Sequence, residues 1–171
     1  RTFKARPTTD FAKENIFNVL PGYIDLEGAT ALDLFSGTGS ITLELLSRGC
    51  SQVVSVELDR DHHRFIQQCL QKLTSQGDRN SVLAIRGDVF RFVKSCKQQF
   101  DMIFADPPYA LKELPTIPGL IFEKGLLKEG GIFVFEHGKD QDFSDDPHFV
   151  EHRRYGSVNF TIFRTVATTS E

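Results

Sequence analysis

The residues most suited to chemistry form the tetrapeptide Asp106-Pro107-Pro108-Tyr109, which directly follows an apolar run predicted to be a buried strand. Two consecutive prolines stiffen the backbone and remove two N–H donors, which leaves carbonyl groups turned outward. The Asp106 carboxylate and the Pro107 carbonyl could then accept both hydrogens of an exocyclic amine and aim its lone pair at a methyl donor. Tyr109 offers a face on which a nucleobase can stack, a contact worth about 1–3 kcal/mol. The tetrapeptide therefore predicts methyl transfer to an amine, whereas the simpler alternative is an ordinary turn.

A second group of candidate site residues lies in the segment 33–40, DLFSGTGS, where the first predicted strand turns into a helix. Glycines there let the backbone approach a ligand, and the helix N-terminus presents free N–H groups. A GxG segment alone is weak evidence, because any strand–helix turn can use it. A dinucleotide fingerprint would have a third glycine where this chain has Thr42. Asp33 would repel phosphates but suit a cationic sulfonium, so this Gly loop favours S-adenosylmethionine over NAD.

Two further acids follow neighbouring predicted strands. Glu57 ends the second strand, at the place where a carboxylate can accept both hydroxyls of a ribose. Asp88 ends the third strand, one step further along the same edge. Open parallel sheets bind ligands at the carboxyl ends of their strands. The Gly loop and both acids are therefore predicted to face one crevice.

The elements that must position these residues alternate regularly between apolar runs and helical spacing. Strands are predicted at 30–35, 52–56, 81–86, 100–105 and 131–136, and helices at 9–20, 40–48, 60–74 and 89–96, with interrupted helix-like material over 111–127. Uninterrupted apolar runs indicate strands that are buried on both faces. We therefore predict an α/β fold, a Rossmann-like, mostly parallel, doubly wound sheet. The segments 149–155 and 158–166 predict a C-terminal antiparallel hairpin.

Length and composition limit the class of protein. The 171 residues suit a single domain, 1–171, whose residues 1–22 form an N-terminal helical segment. Twenty Lys and Arg stand against 23 Asp and Glu, and the net charge of −3 taken alone argues against a nucleic-acid partner. Cys50, Cys69 and Cys96 fit no zinc spacing and indicate reduced cytosolic thiols, so no metal site is predicted. No apolar run approaches the roughly 18 residues of a membrane span, and no signal peptide is evident, which favours the cytoplasm.

With these motifs in this order, the chain resembles the class I S-adenosylmethionine-dependent methyltransferases that carry the amino-methylating (D/N)PP(Y/F) motif. It is most similar to the bacterial enzymes that methylate guanine N2 in 16S ribosomal RNA, the RsmD-like group. Many amino-methyltransferases share the Gly loop and DPPY. The RPTTD segment at 6–10, ahead of the Gly loop, is characteristic of this group and narrows the resemblance, which covers nearly the whole chain.

The resemblance implies a set of cofactor contacts: Asp33, Phe35, Ser36, Gly37, Gly39, Glu57, Leu58, Asp88 and Val89. The residues from the Gly loop would line the methionine end of S-adenosylmethionine. Glu57 would bind the ribose hydroxyls, Leu58 would pack on the adenine, and Asp88, with Val89 adjacent, would accept from the adenine amine.

The resemblance also implies the target side of the site and its partner. Asp106 through Tyr109 would hold the target guanine, and Arg6 and Thr9 would bind substrate from the N-terminal side. The partner would be 16S rRNA, within an assembling small subunit, and nothing in the sequence requires more than a monomer. The first helix of this family usually carries an Arg-Glu pair. This chain has Lys13-Glu14 at that place, so any bidentate contact made by the arginine is lost. The family normally has a basic hairpin before RPT, and a start at Arg1 without methionine suggests that this hairpin is missing.

Several alternatives stay open at this point. DNA adenine-N6 methylation would normally need a target-recognition domain, a nucleotide-binding oxidoreductase would need the third glycine, and a non-catalytic cofactor-binding module would not need an intact DPPY.

Glu136 and His137 are expected just after the fifth strand; His137 is either a proton acceptor or phosphate contact, or a surface or structural residue. The pair at 62–63 is expected on a solvated helix face. The arginines at 153–154 predict either an RNA contact or an exposed basic edge strand.

Overall fold

A single seven-stranded sheet organises the protein in the computed structural model, which describes residues 9–75 and 81–165. Its strands are β1 Thr30–Leu34, β2 Gln52–Glu57, β3 Ser81–Arg86, β4 Phe100–Ala105, β5 Leu127–His137, β6 Phe149–Tyr155 and β7 Val158–Arg164. The order across the sheet is β3-β2-β1-β4-β5-β7-β6. Strands β1 to β5 are mutually parallel, and β7 runs antiparallel to both β5 and β6. The predicted parallel sheet with a closing hairpin is confirmed.

Within the described residues, five α-helices connect and cover these strands. They are α1 Asp10–Val19, α2 Ser40–Ser47, α3 Arg60–Ser75, α4 Val89–Ser95 and α5 Ile117–Glu123. The first helix shows why the sequence folds this way. Thr9 caps it by accepting a hydrogen bond from the Ala12 N–H at 3.1 Å, and Ala12, Ile16 and Phe17 bury one face at helical spacing. A 3₁₀ turn, Leu20–Gly22, ends the helix at the predicted proline break.

The helices bury the sheet from both sides, as a doubly wound fold requires. One hydrophobic cluster packs α1 and α2 against one face, with Phe17 stacked on Phe104 of β4. The other cluster packs α4 and α5 against the opposite face, where Ile121 of α5 and Phe133 of β5 are fully buried. The central strands therefore contribute side chains to two cores. This explains why their sequences are apolar runs rather than alternating patterns.

Three sequence predictions differ from the structure. The fifth strand begins at Leu127 and includes Glu136 and His137, so these two residues end the strand and do not follow it. Only Ile117–Glu123 of the region 111–127 is α-helical, because proline fits the first turn of a helix but not its interior. Strand β3 is not buried on both faces, because it lies at the edge of the sheet and its Leu83 is 53% exposed.

Over the described ranges 9–75 and 81–165, no helix combines the length and apolar character that crossing a bilayer requires. The same ranges contain no group of three or more His, Cys, Asp or Glu side chains arranged to hold a metal ion. All three cysteines are free thiols, and burial raises the pKa of Cys50 to about 11.

Candidate active site

A cavity of about 730 Å³ opens at the carboxyl edge of the sheet. Its wall includes Phe35 and Gly37 of the Gly loop, Glu57 at the end of β2 with Leu58 and Asp59 after it, the stretch 106–110 after β4, and Glu136 near the end of β5. The volume lies within the range of small-molecule sites. The structure thus brings the Gly loop, the acid that ends β2 and the DPPY segment to one site.

The Gly loop takes backbone conformations that side chains normally avoid. Gly37 and Gly39 have φ angles of +56° and +87°. Phe35 has a φ of +58°, and no other non-glycine residue among those described has a positive φ. Strained backbone of this kind concentrates at ligand sites, where the surrounding structure holds it in place. This geometry, above all the positive φ of Phe35, favours a ligand-binding role for the loop over a minimal strand–helix turn.

Glu57 is fixed at the cavity wall by backbone donors. The Gly37 N–H donates to Glu57 Oε1 at 2.7 Å, and the Asp59 N–H donates to Glu57 Oε2 at 2.9 Å. A carboxylate has about four lone-pair positions, and these two donors use two of them. Glu57 therefore has a set orientation together with acceptor capacity for a diol.

The structure corrects the prediction that His62 and His63 lie on a solvated helix face. His62 is 3% exposed, lines the cavity, and its Nδ1 lies 3.8 Å from Glu57 Oε2. The ring of His63 is only partly exposed, and its Nε2 lies 3.1 Å from the Ala84 carbonyl oxygen. The sequence signal for His62 was its position four residues before the buried Ile66, which puts both on the inward stripe of α3.

Asp33 lies beneath the Gly loop rather than on the cavity wall. Its carboxyl group is buried, and its Oδ2 accepts a hydrogen bond from the Thr42 hydroxyl at 2.7 Å. Burial raises the pKa of Asp33 from 3.8 to about 7, a net shift that the hydrogen bond from Thr42 opposes and the charge of Glu57 assists. The contact of Asp33 with a sulfonium stays a prediction. In the structure, the hydrogen bond between Thr42 and Asp33 joins α2 to β1.

Other predicted contacts also lie outside the cavity wall: Ser36, Gly39, Asp88, Val89 and Thr9. Asp88 caps α4 by accepting from the Arg91 N–H at 3.0 Å, and Thr9 caps α1 as described above. The Ser36 N–H donates to the Val56 carbonyl at 3.1 Å. Leu58 does lie at the cavity and is 60% exposed. Arg6 falls outside the described residues.

The DPPY segment is anchored at both ends. The Asp106 N–H donates to the carbonyl of Leu34, the last residue of β1, at 3.3 Å. The Pro108 carbonyl accepts from the Leu111 N–H at 3.0 Å, which closes the turn. Pro107 is buried and Pro108 exposed. The segment is therefore a rigid arch beside the Gly loop, consistent with the stiffness that two prolines impose.

Tyr109 contacts a residue that the sequence left without a role. Its hydroxyl donates to Glu136 Oε2 at 2.9 Å. Its ring lies over Gly138, where a Cβ would come within 3.7 Å of Tyr109 Cδ2. Glu136 is 4% exposed and lines the cavity. The sequence did contain a signal for Glu136, because it is an acid at the carboxyl end of an apolar strand. Parallel sheets bind ligands at that edge.

His137 is structural. Successive strand residues point to opposite faces, and His137 therefore faces away from the cavity side occupied by Glu136. Its Nε2 lies 2.7 Å from Thr161 Oγ1 and its Nδ1 lies 2.8 Å from the Gly138 carbonyl oxygen. Burial lowers the pKa of His137, which favours the neutral ring. Of the alternatives open for this residue, the structure supports the structural one.

The chain is similar in sequence to known proteins. A family model described as "Conserved hypothetical protein 95" matches residues 2–164. The chain belongs to this RsmD-like family. It is 33% identical to YlbH of Bacillus subtilis over 165 residues, which cover 93% of this chain and 87% of that protein. It is 29% identical to ribosomal RNA small subunit methyltransferase D of Haemophilus influenzae over 163 residues, 93% of this chain and 82% of that protein.

Among solved structures, the fold matches the 16S rRNA N2 G1207 methyltransferase RsmC of T. thermophilus, in complex with AdoMet and guanosine. The TM-score is 0.73 at 18% identity, and the match covers 96% of this chain and 45% of that chain. This likeness shows the fold. The predicted Rossmann-like class I methyltransferase architecture and the predicted family are both confirmed.

Proposed function

We propose that this protein transfers the methyl group of S-adenosylmethionine to the exocyclic amine N2 of a guanine in 16S ribosomal RNA. The observation that carries the proposal is the shared cavity, in which a glycine loop with its ribose-type acid adjoins a DPPY amine site. Membership of the RsmD-like family supports the proposal. The name of the H. influenzae relative, a small subunit methyltransferase, supports the rRNA target.

The residues on one side of the cavity fit S-adenosylmethionine. A Cβ at Gly37 would project into open space beside the cavity, so glycine keeps this wall clear for a ligand. Glu57 presents an oriented carboxylate for the ribose hydroxyls, and Leu58 offers an exposed apolar surface for the adenine. S-adenosylmethionine bound there would supply an electrophilic methyl carbon and a neutral thioether as its leaving group.

The residues on the other side fit a target amine. The Asp106 carboxylate and the Pro107 carbonyl accept the two hydrogens of the amine and localise its lone pair, which is otherwise delocalised into the base. Asp106 also receives the proton that the amine sheds, directly or through water. The base stacks on Tyr109, which is 37% exposed at the cavity. The rate enhancement comes from positioning and electrostatics rather than from a covalent intermediate.

The acidic net charge is compatible with an RNA partner, because several acids belong to the site and its supports rather than to an RNA-facing surface. Lys13 contributes little free positive charge, because its Nζ lies 3.8 Å from Asp10 and 3.9 Å from Glu44. Arg1, Lys4 and Arg6, the remainder of the expected basic patch, lie outside the described residues. We infer weak affinity for free RNA and recognition of an assembling small subunit by a cytoplasmic monomer.

A methyl-transfer assay with labelled S-adenosylmethionine and three acceptors tests the proposal. The acceptors are small ribosomal subunits from cells that lack the endogenous activity, naked 16S rRNA, and double-stranded DNA. We expect label in the small subunit, less in naked rRNA and none in DNA. Label in DNA alone would point to an adenine-N6 DNA methyltransferase. No transfer to any acceptor, with cofactor binding intact, would indicate a non-catalytic module.

A further inference from the structure

We propose that Glu136 determines specificity by accepting the N1–H of the target base, and thereby selects guanine over adenine. The inference rests on the proposed function and adds the residue that chooses the base. The DPPY segment alone does not make this choice, because it offers acceptors that any exocyclic amine satisfies.

The position of Glu136 in the sheet places it beside the amine site. Strands β4 and β5 pair in parallel, with Ala105 opposite Phe135. Asp106 and Glu136 are each the next residue after that pair, so both acids come from adjacent strand ends. Both also line the same cavity. A base whose amine contacts Asp106 therefore presents its neighbouring ring edge toward Glu136.

The carboxylate of Glu136 is oriented before any base arrives. It is 4% exposed, and the Tyr109 hydroxyl donates to its Oε2 at 2.9 Å. Tyr109 is itself held by the arch of the DPPY turn and by the close approach of Gly138. The two oxygens of a carboxylate can accept about four hydrogen bonds together, so a donor on a ligand can join the Tyr109 hydroxyl on Glu136 while the orientation of the carboxylate stays fixed.

The chemistry of the two candidate bases makes an acid at this position selective. Guanine has a donor at N1 next to its exocyclic amine N2, so an amine acceptor and a flanking carboxylate complement it together. Adenine has an acceptor at N1 next to its amine N6, and that lone pair would face the carboxylate without a proton between them. Buried polar groups left unpaired reject the wrong ligand more strongly than small differences in shape do.

A merely supportive role for Glu136, acting only through Tyr109, makes a different prediction. Glutamine can still accept the Tyr109 hydroxyl through its amide oxygen, so Glu136→Gln would then behave like the wild type. If Glu136 contacts N1–H, the same substitution weakens guanine recognition. It also provides an N–H donor for a base whose N1 is an acceptor.

The test uses small subunits reconstituted from ligated 16S rRNA that carries either guanine or 2-aminopurine at the acceptor position of the wild-type enzyme. 2-Aminopurine retains the N2 amine but has no hydrogen on N1. We expect the wild-type protein to methylate guanine about 10- to 100-fold more efficiently, in kcat/KM, than 2-aminopurine. We expect Glu136→Gln to reduce this ratio to within about threefold, by losing activity on guanine and gaining relative activity on 2-aminopurine.

Tyr109→Phe is the matched control, because it removes the hydroxyl but leaves the carboxylate. It should lower transfer to guanine but reduce the preference for guanine over 2-aminopurine less than Glu136→Gln does, because the carboxylate that accepts N1–H is still present. Because each ratio compares two substrates on one protein, a partly unfolded variant does not change it. An unchanged ratio in Glu136→Gln, or a wild-type protein that does not discriminate, would overturn the inference while leaving guanine methylation intact. Failure of the wild-type protein to methylate the guanine substrate would instead overturn the proposed function.

Discussion

The two sides of the cavity are built in different ways. On the cofactor side, Glu57 is held by the backbone N–H groups of Gly37 and Asp59, all within the β1–α2 and β2–α3 turns. On the target side, the Tyr109–Glu136 hydrogen bond joins side chains 27 residues apart on neighbouring strand ends. Backbone shape therefore defines one side, whereas a long-range side-chain contact defines the other.

This difference suggests how the two sides divide the work. On the cofactor side, the binding surface depends on the backbone shape set by a few glycines and on one acid. On the target side, it depends on side chains, so a substitution at the end of one strand can alter which target binds. We therefore expect substitutions on the cofactor side to weaken cofactor binding, and substitutions on the target side to lower transfer with little change in cofactor affinity.

Asp106→Ala should give the largest separation between the two sides. Losing the amine acceptor should lower kcat/KM for transfer by about 10³-fold or more, since one lost transition-state hydrogen bond costs about 10²–10³ and the proton acceptor is lost as well. The Kd for S-adenosylhomocysteine, measured by calorimetry, should change less than about threefold.

Asp106→Asn is the matched control, because asparagine keeps a carbonyl acceptor and also occurs in the motif that the family shares. It should retain more activity than the alanine variant. A comparable loss of cofactor affinity and of transfer in Asp106→Ala would contradict the division between the two sides.

Asp33→Asn tests the support beneath the cofactor side through pH. Burial raises the folded-state pKa of Asp33 from 3.8 to about 7, so its contribution to stability is complete below pH 3.8 and is lost as the pH rises through about 7. The amide cannot ionise and still accepts from Thr42. The variant should therefore gain about 2–3 kcal/mol of unfolding free energy relative to the wild type between pH 5 and pH 8.

Denaturant unfolding at a series of pH values checks this expectation. Asp145→Asn, at an exposed position, serves as the control and should show no such trend. A difference between Asp33→Asn and the wild type that stays constant from pH 5 to pH 8 would show that Asp33 does not have a raised pKa.

Glu57→Ala should affect cofactor binding and leave transfer at saturating cofactor nearly unchanged. Losing the acceptor for two ribose hydroxyls should raise the Kd for S-adenosylhomocysteine about 10- to 100-fold. Glu129→Ala, an exposed acid in the amino-terminal part of β5, is the matched control and should leave the Kd unchanged. The assignment of Glu57 to the ribose is wrong if the two variants bind equally well.

Tyr109→Phe should give the smallest effect. The ring still stacks on the base, but the hydroxyl that orients Glu136 is lost. We expect kcat/KM to fall about 3- to 10-fold, the size of one hydrogen bond. Tyr109→Ala, which also removes the stacking face, should fall further, by the additional 1–3 kcal/mol of stacking. Equal activity of the phenylalanine variant and the wild type would show that orientation of Glu136 by Tyr109 does not contribute.

The features of the fold that depend on local sequence pattern could be predicted from the sequence. Apolar runs and the glycine turn were sufficient for the sheet, the Gly loop and the position of DPPY, because parallel strands place their carboxyl ends on one edge. His62 and Glu136 were not assigned to the site. Their placement depends on how α3 packs under the Gly loop and on how β5 pairs with β4. The contact of Asp33 with the methionine end of the cofactor stays a prediction, and the burial of its carboxyl group against Thr42 was not predicted, because a motif indicates a position in the chain but not the direction of its side chain.

The identity of the methylated nucleoside is the most direct test of methyl transfer to guanine N2. Small subunits from cells lacking the endogenous activity are incubated with the protein and isotope-labelled S-adenosylmethionine, and the rRNA is digested to nucleosides for mass spectrometry. We expect labelled N2-methylguanosine at one position of 16S rRNA, and much less label with Asp106→Ala. Label in N6-methyladenosine, or in a guanosine methylated at an atom other than N2, would contradict it.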